Sequence, residues 1–227
     1  MIKTDSQVLT TINNQFKSFS DKALKSSKPN RAFVISYLQK YEKSYKREGF
    51  ITTFVQKAQQ LAEDFDKNGA TDFTGIIYAS LIKIKNLSSD IREELIKRAI
   101  EVAQKQNDII HELGRVVDLK MLYRDNISTR RKDYIKTLFA EEKLLRNIVR
   151  NYEESRDNYK TVTKTTRSEE DYTFKLGLSK VEIAKQHNNT NKKIALEKLI
   201  EAKKIFKRLG KTKEEFFTKG LIENLKH

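Results

Sequence analysis

The chain has 227 residues, no cysteine, 37% hydrophobic and 34% charged residues, and a formal net charge of +15. That apolar content excludes a disordered chain, and one proline with seven glycines is too few for the turns of a β-sandwich or barrel. With no apolar leader after Met1-Ile2-Lys3-Thr4-Asp5 and no run near the ~20 apolar residues of a membrane span, the composition reads as a soluble, cytoplasmic, all-α protein.

Apolar residues recur at three- and four-residue spacing along nearly the whole chain, which predicts helices. In residues 1–68, an N-terminal group of helices, the first stripe is Val8, Ile12, Phe16 and Phe19. Ser26 to Asn30 breaks it, and Phe33, Tyr37, Tyr41 and Tyr45 mark a second helix that Gly49 ends. Phe50, Phe54, Ala58, Leu61 and Phe65 mark a third, closed by Asn68-Gly69 as a C-cap.

Residues 69–155 read as helical hairpins. Thr71 or Asp72 is expected to cap a helix carrying Phe73, Ile76, Ile77, Leu81 and Ile84 inward. After a turn at 86–90, Asp90 with Glu93 is expected to cap a helix with Leu95, Ala99, Val102 and Ala103 on one face. Ile109, Leu113, Val116, Val117 and Met121 form the next face, residues 125–128 interrupt, and Tyr134, Leu138, Leu145, Val149 and Tyr152 follow.

The threonine-rich residues 156–167 predict a loop or hinge. In 168–227, Ser168 with Asp171 restarts a helix through Phe174, Leu178, Val181 and Ile183. Past a turn at 188–191, Ala195, Leu199, Ala202, Phe206 and Leu209 line one face and Gly210 ends it. Thr212 and Glu215 form an expected capping box for a last helix facing inward through Phe216, Phe217, Gly220, Leu221 and Leu225.

The segment Lys192 to Leu225 resembles a tetratricopeptide second helix followed by the next first helix. Ala195, Leu199 and Ala202 stand where that repeat's small–large–small pattern falls, and Gly220 stands at a close-packing position. Residues 91–123 are similar through Ile96, Ile100 and Ala103, although the repeat-ending proline is missing throughout. The resemblance implies antiparallel hairpins stacked as a short α-solenoid, with a concave face that takes a peptide or helix. The cations by which some members clamp a terminal carboxylate have no counterparts in this sequence.

Other motifs are weaker. Asp64, Asp66, Asn68 and Asp72 with Gly69 have calcium-loop spacing, but the twelfth position is Gly75 where a bidentate Glu belongs. His111, His187 and His227 have no second histidine one helical turn away, and the sequence holds neither GxxxxGK[ST] nor GxGxxG. No enzyme activity, metal or cofactor is expected. Two basic groups are candidates for nucleic acid: Lys40, Lys43, Lys46 and Arg47 beside the Phe33–Tyr45 stripe, and Arg130, Arg131 and Lys132. Cations at 203–213 sit near a helix end, where the dipole alone explains them. The leading expectation is a non-enzymatic module that binds a protein or peptide in a helical groove, with an RNA- or DNA-associated protein as the alternative.

Overall fold

The computed structural model describes residues 4–25, 30–154 and 169–226, so the expected loop or hinge at 156–167 and the Ser168 cap lie outside the described residues. Among the described residues there are ten α-helices and no strand. They fall into two compact units, residues 1–108 and 109–227.

The first unit holds α1 (Asp5–Lys25), α2 (Arg31–Arg47), α3 (Ile51–Lys67), α4 (Thr71–Leu81) and α5 (Ser89–Lys105). Each helix packs on the next, and α2 also meets α4. One apolar core runs through all five, from Ile12, Phe16 and Phe19 to Leu95, Ala99 and Val102. Tyr41 and Tyr45 are buried in it, edge-on to Phe16 at 5.2 and 6.5 Å. Burial leaves each phenol needing an acceptor, and α1 supplies it: Tyr41 donates to the Gln15 carbonyl at 3.0 Å, Tyr45 to Asn13 Oδ1 at 2.7 Å. Burial first, then Tyr41, pushes the Tyr45 phenol up to about 12. Tyr45→Phe is expected to lower stability by about 1 kcal/mol in urea unfolding, since it strands the Asn13 acceptor without opening a cavity.

Helix ends follow local chemistry. At Gly49 (φ +78°) the chain turns left-handed, so the Phe50 amide reaches the Tyr45 carbonyl (2.7 Å) and the Gly49 amide reaches Lys46 (3.2 Å). The same pair of bonds closes α3 at Gly69, and Asn107 (φ +52°) does the glycine's work after α5. Asn30 caps α2 by accepting from the Ala32 and Phe33 amides.

Two expected caps are one or two residues out. Ala70 precedes α4, and the Thr71 hydroxyl, already inside the helix, donates to Asp66 Oδ1 (3.3 Å). Ser88, not Asp90, caps α5, its extended backbone aiming Oγ at the Ile91 amide (3.3 Å).

The second unit holds α6 (Ile109–Asp125), α7 (Ile127–Glu154), α8 (Glu169–His187), α9 (Lys192–Arg208) and α10 (Thr212–Lys226). These helices pack strictly in chain order, each on its neighbour, as helical repeats do. Only Asn126 separates α6 from α7, and Arg130 (φ −115°, ψ 22°) kinks the start of α7. Asn191 caps α9 by accepting from the Ile194 amide.

Four residues expected to face inward in this unit are exposed. Met121 is exposed, and Leu119 and Tyr123 continue the buried stripe of α6 instead. Leu178 is exposed, because α8 buries Gly177, Ser179 and Lys180 around it. α10 begins at Thr212 itself and faces α9 with Thr218, Leu221, Ile222 and Leu225, which leaves Phe216 and Phe217 outside. Gly220 is not the close-packing glycine, since a Cβ there would meet nothing within 4 Å. Gly177 is: a Cβ there would lie 2.7 Å from the Phe206 ring of α9.

Candidate binding groove

α6 and α8 both pack on α7, and between them lies a cavity of about 460 Å³, within the range of ligand and peptide sites. Ile110, Leu113 and Val117 of α6, Leu145 of α7 and Tyr172 and Leu178 of α8 make its wall largely apolar. Leu178 is 44% exposed, an open leucine beside a recess, and Gly114 sits at the mouth with free space where a side chain would be.

A polar network closes one end. Lys120 Nζ lies 3.0 and 2.9 Å from the two Glu141 carboxylate oxygens and 3.6 Å from Glu182. Ser179 donates to Glu141 at 3.4 Å, and Tyr134 donates to Glu182. Burial first, then the hydrogen bond to Glu182, raises the Tyr134 phenol far above its ordinary value, so it stays a donor. Two carboxylates share one ammonium here, leaving this end acidic. Lys175, over the Tyr172 ring at 5.8 Å, marks the other end with a cation.

A second network lies among α7, α8 and α9. Glu142 accepts from Lys180 at 2.6 Å, Arg146 at 2.7 Å and Lys198 at 2.9 Å, and Lys180 also reaches Glu201. Lys180 and Glu142 are both nearly sealed from water. Burial pushes the Glu142 carboxyl up, but the three cations outweigh it and bring it down to about 2. Neither network was foreseen in the sequence. Glu141-Glu142 and Ser179-Lys180 stand among other charged residues such as Lys143, Arg146 and Glu182, and nothing in their spacing sets them apart.

The candidate nucleic-acid residues fall in different units. Lys40, Lys43, Lys46 and Arg47 are exposed on α2, with Arg47 paired to Glu48 at 2.7 Å. Of the neighbouring aromatics, Tyr41 and Tyr45 are buried, and Tyr37 stacks on Phe19 at 4.9 Å. At the start of α7, Arg130 lies over the Tyr123 ring and bonds Asp133 (2.9 Å), Arg131 bonds the Gln186 carbonyl at the end of α8 (3.0 Å), and Lys132 is exposed. The two arginines thus brace helix ends.

The calcium-like residues also have structural partners: Asp66 holds Lys105 at 2.6 Å, Asp72 accepts from Gln106 at 2.9 Å, and Asn68 donates to the Asp64 carbonyl. Among the described residues no group of three or more His, Asp or Glu side chains is placed to hold a metal ion, and no helix is long and apolar enough to cross a membrane.

No protein-family model matches the sequence, and no curated protein matches it. A solved structure described as a circular tandem repeat protein with novel repeat topology and enhanced subunit contact surfaces matches 97% of this chain and 50% of its own, at 12% identity and a TM-score of 0.30. This chain spans half of that one, and so distant a likeness carries no argument about function.

Proposed function

We propose that the chain is a non-enzymatic, tetratricopeptide-like interaction module whose α6–α8 groove takes an amphipathic helix from a partner protein. The observation that supports this reading is the half-open apolar recess with Leu178 at its lip, bounded by charges of opposite sign at its two ends. The stretch of α6 that lines it, 110–120, is about 15 Å long, room for about three turns of helix. A bound helix has a positive N-terminal end, which suits Glu141 and Glu182, and a negative C-terminal end, which suits Lys175. Apolar side chains one turn apart would fill the space between.

Helical peptides selected by display on the full chain test this. They are expected to carry apolar residues at i, i+3 or i+4 and i+7. Their affinity is expected to fall about thirtyfold in Gly114→Leu, which plugs the mouth, and in Leu178→Glu. Neither side chain would strike a neighbour in the fold, so melting should not fall, and Gly114→Leu should raise it slightly through helix propensity. Selected peptides that bind these variants as tightly as the parent chain, or a selection that enriches none, would overturn the reading.

A further inference from the structure

We propose that α10 is a self-association surface, and that a second copy of this chain docks on it with the two α10 helices antiparallel. The surface sets two open aromatic rings among charged side chains. Phe216 is 77% exposed and Phe217 52% exposed, the latter beneath the Lys185 ammonium at 5.1 Å. Two adjacent large apolar side chains this open are what an interaction site presents.

The pattern on that face selects the occupant. Lys213, Phe216, Gly220 and Glu223 follow at spacings of three, four and three, so they share the side away from buried Thr218. They are also symmetric about residue 218: positions 213 and 223 lie five residues either side, positions 216 and 220 two either side. An antiparallel copy crossing at that level sets Lys213 against the copy's Glu223, and Phe216 against its Gly220. Each chain supplies both halves of each match, as a two-fold interface requires. Gly220 has no atom within 4 Å of where a Cβ would stand, so it offers a recess for the ring. The Lys219–Glu223 pair within one helix is long, at 3.9 Å, and exposed, so Glu223 is free to swing to a new cation.

Charge argues against the other occupants. On a chain of net charge +15, α10 carries three lysines (213, 219, 226) and three glutamates (214, 215, 223), hence no net charge. An anionic membrane or nucleic acid has no field to draw it there, whereas a copy of the same helix meets opposite charges in register.

Sedimentation equilibrium of the full chain tests this. A monomer–dimer equilibrium with a dissociation constant in roughly the micromolar range is expected, as befits a small interface. Phe216→Glu should weaken it about thirtyfold at unchanged melting temperature. Lys213→Glu should weaken it by facing two acids, and Lys213→Glu with Glu223→Lys should restore it. Gly114→Leu, in the groove, should leave it untouched. A chain that stays monomeric at concentrations on the order of hundreds of micromolar, a dimer indifferent to Phe216→Glu, or a double reversal that fails to restore association would each overturn the proposal.

Discussion

Glu142→Ala is expected to lower the stability of the second unit by about 3–5 kcal/mol, the usual loss when one partner of a buried ion pair is removed. Glu142 is the acceptor common to Lys180, Arg146 and Lys198, and through them it joins α7, α8 and α9. Without it, Lys180 stays buried with Glu201 as its remaining anion. Urea unfolding followed by circular dichroism gives the size, and hydrogen exchange in α7–α9 gives the place. Glu153→Ala is the control: its pair with Arg208 (3.3 Å) is exposed on both sides and should change stability by less than about 0.5 kcal/mol. Acid gives an independent reading. The carboxyl sits near 4.5 in the unfolded chain and about 2 in the fold, so the unfolded chain takes up the proton first as pH falls. The contribution of this group, about 3 kcal/mol, is intact above pH 4.5 and drains away between 4.5 and 2. Glu142→Ala should lose that slope. A variant within about 1 kcal/mol of its parent would mean the network does not hold the helices together.

Helices were legible in this sequence because one physical rule generates them: a helix buries one side, so its apolar residues recur every turn. Phe16, Tyr45, Phe65, Leu95, Leu138 and Phe206 all stand on expected stripes and are all buried. Ends were legible where glycine marks them and less so elsewhere. Asn107 takes the same left-handed conformation as Gly49, but asparagine fills many other roles, so nothing in its identity announced this. Ser88 and Asp90 are both good caps, and only the backbone path distinguishes them.

The groove was not legible at all, and the reason is general. A stripe says which side of a helix is apolar, not whether a neighbour arrives to cover it. Leu178 and Phe216 read as core residues and prove exposed, because α7 and α9 meet other parts of α8 and α10. Buried charge is hidden for the opposite reason. Glu142 and Lys180 are 38 residues apart and come together only when α7 and α8 pack. Taken alone, each looks like one more solvated charge in a chain that is 34% charged.

Gly177→Val is expected to cost about 3 kcal/mol or more, the second large effect, and it separates two glycines that look alike in sequence. At Gly177 a bare Cβ would already lie 2.7 and 2.9 Å from the Phe206 ring and 3.2 Å from Ile205. Phe206 is 1% exposed and lies edge-on to the Phe174 ring at 5.8 Å, so it has little room to swing. Even Gly177→Ala should destabilise by about 1–2 kcal/mol, overpacking outweighing the gain in helix propensity. Phe206→Leu, itself destabilising in the parent chain, should recover part of that loss when combined with Gly177→Ala, because it removes the ring the new methyl strikes. At Gly220, with nothing within 4 Å, Ala should instead stabilise by about 0.5–1 kcal/mol. Thermal melts of the five variants decide the matter at concentrations low enough to keep the chain monomeric. If alanine is tolerated equally at 177 and 220, then α8 and α9 do not approach as closely as the Phe206 ring requires, and the packing order of this unit rests on something other than that contact.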